Sequence, residues 1–124
     1  MTTIQRFHTG PRLSEAAVHN GTAYLAGQVA TDAKQDISGQ TRQVLDAIDK
    51  LLAEVGSDKS RILMAQIFIA DLADFAGMNA VWDAWVAPGQ APCRALPQSA
   101  AVRTISTRHS GLASRLLTVA RQGA

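Results

Sequence analysis

The sequence predicts an α+β fold in which a mixed β-sheet carries two helices on one of its faces. Three observations lead to this prediction. A tight-turn dipeptide lies between two short extended segments near the N-terminus. Two later segments repeat their apolar residues at helical spacing. A nearly continuous apolar run lies between those two segments, as expected for a strand between helices.

The composition indicates a single domain spanning residues 1–124. The chain has 47% hydrophobic and only 18% charged residues, which is enough apolar material for one core. So little charge favours apolar surface that faces another copy of the chain. The apolar runs are shorter than the roughly 18 residues of a membrane span, and the N-terminus lacks the apolar core of a signal peptide. We therefore expect a cytoplasmic protein.

Metal and disulfide chemistry are not expected. Cys93 is the one cysteine of the chain, so an intramolecular disulfide and a cysteine-based zinc site are excluded. The histidines, His8, His19 and His109, lack metal-ligand spacing, and we expect each at the surface.

Charge is distributed unevenly along the chain. Residues 1–83 contain all ten acids and seven Lys or Arg, a net charge of −3, whereas residues 84–124 contain five arginines and no acid. Basic tails can contact nucleic acid. However, these arginines are widely spaced, and no aromatic residue among them could stack on a base. A solvated or self-contacting basic edge is the favoured interpretation.

The first half of the chain predicts a hairpin and a helix. Residues 1–12 look irregular. Leu13 to Gln28 should form two strands around Asn20-Gly21, a dipeptide suited to a tight hairpin, followed by a polar loop at residues 29–37. A helix is predicted from Ser38, its expected N-cap, to Val55, with Gly56 as its C-terminal stop.

The second half predicts a strand, a helix and a loop. Ile62 to Ala70 is apolar at almost every position, which predicts a central strand covered on both faces. A helix should follow from Leu72 to Val86, capped by Asp71 or Asp74. Gly77 should weaken this helix by about 1 kcal/mol relative to alanine. Pro88, Gly89 and Pro92 then predict a loop, and Ala101 to Ser106 and Arg115 to Ala120 are two candidate strands.

The loop after the second helix delivers Arg94, the residue with the clearest chemical use. A guanidinium presents a planar set of donors that can bind a carboxylate at two points, which an ammonium group does less well. From composition alone, a surface arginine at the end of a loop remains the alternative.

Several motifs occur in consistent order over residues 12–95: Ala26-Gly27-Gln28, Phe68-Ile69-Ala70-Asp71, Asp74 to Asn79, Trp82-Asp83-Ala84-Trp85 and Ala91-Pro92-Cys93-Arg94. In these motifs the chain resembles the RidA/YjgF family of reactive-intermediate deaminases, and most closely its YoaB-like branch. The resemblance implies a chorismate-mutase-like fold assembled as a homotrimer, with ligand clefts between subunits. It also implies hydrolysis of enamines and imines to 2-oxo acids and ammonia, without a metal or an organic cofactor.

The resemblance assigns roles to individual residues. It makes Arg94 the catalytic and carboxylate-binding residue and adds Asn79 from the second helix to the binding site. The backbone near Gly27 and Gln28 should line the cleft, with Cys93 beside Arg94. The residues themselves favour a different role for Cys93, that of a small buried residue, because no histidine lies in a nucleophile context.

The chain also departs from the family pattern. Leu13 replaces the family's tyrosine, Ala26 replaces a serine, and the position of a glutamate thought to orient the attacking water falls on Arg115. Residues 96–117 are atypical for the family. Genuine divergence and a reading-frame slip after Ala95, restored near Leu117, both remain open as explanations.

Three functions follow from this sequence. The first is hydrolysis of small 2-imino acids, weakened or lost without the glutamate. The second is non-catalytic binding or sensing of a small carboxylate metabolite by the same trimer. The third is RNA cleavage or translation inhibition, which the absence of a histidine pair and of a stacking platform disfavours. Trp82 and Trp85 are interpreted as core or subunit-interface anchors.

Overall fold

The computed structural model describes residues 3–32, 34–96 and 114–121. Its strands are β1 (Gln5–Phe7), β2 (Ala16–His19), β3 (Thr22–Val29), β4 (Ile62–Ile69), β5 (Cys93–Ala95) and β6 (Ser114–Arg121). Its α-helices are α1 (Ile37–Glu54) and α2 (Phe75–Trp85), and short 3-10 turns at Lys59–Arg61 and Leu72–Asp74 precede β4 and α2. The predicted α+β class is confirmed.

The six strands form one sheet in the order β1-β2-β3-β6-β4-β5. All neighbouring pairs are antiparallel except β4 and β5, which are parallel. Strand β6, the last of the described strands, lies between β3 and β4. Strand β6 thus joins the N-terminal strands β1 to β3 to the strands β4 and β5, and it separates the N-terminal hairpin from the edge strand β5.

The predicted hairpin turn is present. Asn20 and Gly21 have φ angles of 52° and 74°, and His19 pairs with Thr22 across the two-residue turn. Positive φ at both central residues defines a type I′ turn, which asparagine and glycine tolerate best. The irregular start predicted for residues 1–12 is wrong at Gln5–Phe7, because β1 pairs there with β2.

Helix α1 ends as predicted but begins differently. The N-cap is Asp36, not Ser38, since the Asp36 side chain accepts the N–H of Gly39 at 2.8 Å. At the other end Gly56 has φ 76°, and the N–H groups of Gly56 and Ser57 bond to the carbonyls of Ala53 and Leu52. This arrangement is a Schellman cap, which requires a left-handed residue.

One face of the sheet packs against the helices and forms the core. Alternate side chains of β3 and β4 are buried with the apolar stripe of α1 and with Met78 and Trp82 of α2. The predicted covering of β4 on both faces is wrong within one chain. Met64 is 38% exposed, because no described element of this chain covers the outer face there.

The outer face of the sheet carries an apolar row. Tyr24, Val119 and Met64 lie side by side across β3, β6 and β4, since Val119 pairs with both of the others. Tyr24 is 52% exposed. Neither described helix combines the length and the apolar character that a membrane span needs.

The start of the second helix differs from the prediction. Residues Leu72–Asp74 form a 3-10 turn, whose N-cap Asp71 accepts the N–H of Ala73 at 3.0 Å. Asp74 occupies the N-cap position of α2 without making a side-chain cap. Its buried Oδ2 has no hydrogen-bond partner among the described residues. Burial, and secondarily the charge of Asp71, raise the pKa of Asp74.

The candidate strand at Ala101 to Ser106 lies outside the described residues. The other, Arg115 to Ala120, is confirmed within β6.

Gly77 lies where α2 packs closely against the start of α1. A Cβ added there would lie 2.7 Å from Cγ2 of Ile37, and Ile37 is buried at the start of α1. Replacing Gly77 with alanine should therefore destabilise the fold by about 1–3 kcal/mol through overpacking, although helix propensity alone favours alanine. Urea unfolding measures the difference.

The background variant Ile37→Ala serves as the control for this prediction. It removes the clashing methyl group, so Gly77→Ala should cost much less there. A Gly77→Ala protein as stable as the wild type would contradict the close-packing argument.

Asp74→Asn should stabilise the protein near neutral pH. A raised native pKa means that ionised Asp74 costs stability, and this cost appears as pH rises through that pKa. The free energy of unfolding of the variant should exceed that of the wild type at about pH 7 and match it at about pH 3, below the ordinary aspartate pKa. Asp83→Asn, an exposed acid on the same helix, is the control and should change stability little at either pH. A pH-independent gain from Asp74→Asn would reject the electrostatic explanation.

Candidate functional site

Arg94 lies in the edge strand β5, where the sequence predicted a loop. The parallel register pairs it with Ala65 of β4, and Ala65 is buried on the helix side of the sheet. The Arg94 side chain accordingly reaches helix α2 rather than the outer face. The predicted loop is present at Pro88, Gly89 and Pro92, but it ends before Arg94. The three residues after Pro92 gain their extended form from pairing with β4, a non-local contact that spacing cannot reveal.

Two side chains of α2 hold Arg94. Its Nη1 donates to Oδ1 of Asn79 at 2.8 Å, and its Cζ lies 5.3 Å from the ring centroid of Trp82, within cation–π range. Asn79 and Trp82 are three residues apart, so they share one face of the helix. The structure thus brings together Arg94 and Asn79, two of the residues that the sequence proposed.

The charge of Arg94 has no acidic partner among the described residues. Arg61 forms an ion pair with Asp58 at 3.5 Å, and His8 pairs with Glu54. Arg94 is exposed, and its side-chain contacts with Asn79 and Trp82 involve a neutral amide and an indole face. An amide and an aromatic ring orient a guanidinium without cancelling its charge, so this group can still receive an anion.

Trp82 was not predicted as a contact of Arg94. It was interpreted as a core or interface anchor, and it is indeed 5% exposed. Its ring also lies 5.4 Å from that of Trp85, whose Nε1 donates to Oδ2 of Asp49 at 2.9 Å. The three-residue spacing between Asn79 and Trp82 was the sequence signal that both could contact one ligand-binding residue. That signal can be interpreted only once β5 is known to lie beside α2.

Cys93 differs from the residue-based interpretation. It is an exposed free thiol in β5, paired with Met64, and not a small buried residue. It lies beside Arg94 in sequence, but alternate residues of an extended strand point to opposite faces. Its contribution to binding therefore stays a prediction.

Gly27 and Gln28 lie in β3, which β6 and β4 separate from β5. Three strand spacings amount to about 14 Å, so within one chain these residues do not join Arg94. A register irregularity between Leu25 and Gln28 redirects the strand locally. Gln28 donates from Nε2 to Oε2 of Glu15 at 2.9 Å and to the Ala26 carbonyl at 3.1 Å. Glu15, which the sequence did not single out, thus fixes the Gln28 amide.

The described residues contain no group of three or more His, Cys, Asp or Glu that could hold a metal ion. The acids that lie in loops have local structural partners instead. Asp36 caps α1, and Asp58 accepts hydrogen bonds from Ser60 that lower the pKa of this carboxyl group.

Comparison with known proteins places this geometry in a family. A family model described as Endoribonuclease L-PSP matches residues 3–106. The chain is 54% identical over 92 residues to a RutC family protein of Haemophilus ducreyi, covering 74% of this chain and 79% of that protein. It is 45% identical over 97 residues to the RutC family protein YoaB of Escherichia coli, covering 78% and 84%.

Solved structures agree with these sequence matches. A member of the YjgF protein family from Neisseria meningitidis superposes with a TM-score of 0.87 at 38% identity, covering 98% of this chain and 97% of that one. The family model over residues 3–106, the sequence matches and the shared fold make this chain a member of the RidA/YjgF family.

Proposed function

We propose that this protein binds the carboxylate of a small 2-imino or enamine acid at Arg94 and hydrolyses it to a 2-oxo acid and ammonia, as a RidA-like deaminase. The observation that carries the proposal is the exposed guanidinium of Arg94, oriented by Asn79 and lacking an acidic partner among the described residues. An arginine held in this way has its donors directed before the ligand arrives, which lowers the entropic cost of binding.

A second copy of the chain would complete the site. Gly27 and Gln28 lie about three strand spacings, or 14 Å, from Arg94 in one chain, which is more than a small acid spans. The exposed row of Tyr24, Val119 and Met64 offers an apolar sheet face for self-association. A homotrimer, as the family resemblance implies, would bring β3 of one copy to β5 of another, and we place this assembly in the cytoplasm.

The proposed reaction requires the protein to position and polarise the substrate. Water adds to the carbon of the C=N bond, a proton passes to nitrogen, and ammonia leaves as the carbonyl forms. With the carboxylate bound by Arg94, backbone groups near Gly27 and Gln28 would face the nitrogen end of the substrate. Positioning and polarisation of this kind can accelerate an intrinsically feasible hydrolysis, and no step needs a cofactor.

A specific feature of β6 favours a second candidate, binding without turnover. The position that the resemblance gives to a water-orienting glutamate is Arg115, and its backbone pairs with Val29 and Phe68. Residue 115 therefore lies in the part of β6 that pairs with the end of β3, close along the sheet to the Gly27-Gln28 segment. With arginine there, slow hydrolysis or simple sequestration of a small carboxylate is the expected behaviour.

RNA cleavage gains no support from the described histidines. The register of β1 and β2 pairs Gln5 with Val18 and Phe7 with Ala16, so His8 and His19 flank opposite ends of this pair, roughly 13 Å apart at strand spacing. Acid–base cleavage by a histidine pair needs both rings at one bond. His109 lies outside the described residues.

Replacing Arg94 should weaken carboxylate binding while preserving the fold. Arg94→Ala should weaken binding of 2-oxobutanoate at least 30-fold, equivalent to about 2 kcal/mol, because the charge-assisted bidentate contact is lost. Arg94→Lys should recover only part of it. Isothermal titration calorimetry measures the affinities, and an imine-hydrolysis assay measures turnover.

The control for this experiment is Arg61→Ala, which removes an arginine already paired with Asp58 and should leave affinity unchanged. Sedimentation velocity should show the same oligomer for all variants. Full binding or activity in Arg94→Ala would refute the role of Arg94, and equal losses in Arg61→Ala would indicate a non-specific effect of charge.

Arg115→Glu should increase the rate of imine hydrolysis. The substitution restores the carboxylate that the family resemblance implies at this position, and a carboxylate there can accept a proton from water as the water attacks. We expect a rise of at least tenfold in kcat with little change in affinity for 2-oxobutanoate. Arg115→Gln, which removes the cation without adding a base, is the matched control. Equal rates for Arg115→Glu and Arg115→Gln would reject the proposed use of this position.

A further inference from the structure

Trp82 lies directly beneath the guanidinium of Arg94. The Cζ of Arg94 is 5.3 Å from the indole centroid, while the indole itself is almost fully buried, with Trp82 only 5% exposed. Arg94 is exposed on the solvent side of that ring. The indole therefore forms the floor under the cation, and Asn79 holds its Nη1 from the same helix face.

An indole floor suits an anion-binding arginine for a chemical reason. An acidic partner would orient Arg94 but would also occupy its N–H donors and cancel its charge. A cation–π contact uses the face of the guanidinium, and Asn79 accepts from one nitrogen. The remaining N–H donors along the edges of the guanidinium stay available for a two-point contact with a carboxylate.

Trp82 itself is fixed in place. Its ring packs against that of Trp85 at a centroid distance of 5.4 Å and an interplanar angle of 50°. It also belongs to the buried core with Met78 and Ile37. A side chain packed in this way cannot move aside when a ligand arrives. The packing of Trp82 therefore fixes the distance of the Arg94 guanidinium from helix α2.

We propose that Trp82 is a positioning residue that holds the Arg94 guanidinium ready for a ligand carboxylate. The proposal rests on the proposed function of Arg94. It assigns to Trp82 a role in affinity in addition to its packing in the core. Its energetic basis is the electrostatic attraction between the cation and the ring, which is strongest for tryptophan and weaker for phenylalanine.

The test compares the same substitution at two positions of one helix. Trp82→Phe keeps an aromatic core residue but weakens the cation–π contact, and it should reduce affinity for 2-oxobutanoate about fivefold by calorimetry. Trp85→Phe keeps an aromatic ring packed against Trp82 and leaves the Trp82 face beneath Arg94 intact, so it should change affinity less than twofold. In an Arg94→Lys background, Trp82→Phe should have a smaller effect than in the wild type, because the stacked planar cation is gone.

A spectroscopic measurement separates positioning from general damage to the core. In the ligand-free protein, the ring current of Trp82 should shift the Nε–H resonance of Arg94 away from its free-arginine value. Trp82→Phe should reduce this shift, and Trp85→Phe should preserve it. Unfolding midpoints recorded for both variants show how much each substitution disturbs packing.

The affinity and resonance measurements together decide whether Trp82 positions Arg94. Equal losses of affinity in Trp82→Phe and Trp85→Phe, or an Arg94 resonance unaffected by Trp82→Phe, would overturn the positioning role. If the wild-type protein bound no 2-oxobutanoate, the proposed function would fail, while the Arg94 resonance would still decide whether Trp82 holds the guanidinium. A loss of affinity confined to Trp82→Phe together with the reduced shift would establish the role.

Discussion

The candidate site depends on the contact between Arg94 of strand β5 and one face of helix α2. Asn79 and Trp82 orient the guanidinium through a hydrogen bond and a cation–π contact, and neither neutralises it. Surface cations are usually solvated or paired with acids, and such pairs contribute little. A cation fixed by neutral groups differs from both, because it keeps its charge and has lost much of its side-chain freedom. That combination is what an anion-binding site requires.

The sheet topology explains why Arg94 and the Gly27-Gln28 segment lie apart in one chain. Strand β6 is inserted between β3 and β4, so the segment at Gly27 and Gln28 and the edge strand β5 lie apart. The same insertion places Val119 between Tyr24 and Met64 on the uncovered face. A single structural feature thus separates the two groups of predicted site residues and creates the apolar surface that the proposed assembly uses to bring them together.

Close packing of α2 against α1 helps to position the two side chains that contact Arg94. Gly77 lets α2 approach the start of α1 at Ile37, and Trp85 of α2 bonds to Asp49 of α1. These contacts fix the rotation of α2 about its axis. Because Asn79 and Trp82 share the face that this rotation directs toward β5, the geometry at Arg94 is a consequence of helix packing as much as of local sequence.

The sequence alone determined those features that rest on local physical chemistry. Asn20-Gly21 formed its tight turn because both residues tolerate positive φ, Gly56 ended α1 for the same reason, and the apolar spacing located both helices and β4. Arg94 and Asn79 were identified from side-chain chemistry and family resemblance. Tertiary structure decided what depends on contacts distant in sequence: the pairing that made β1 and β5 strands, the burial of Trp82 beneath Arg94, and the use of Gly77 for close approach. These could not be predicted because an extended segment or a helix face acquires its role only from the element placed beside it.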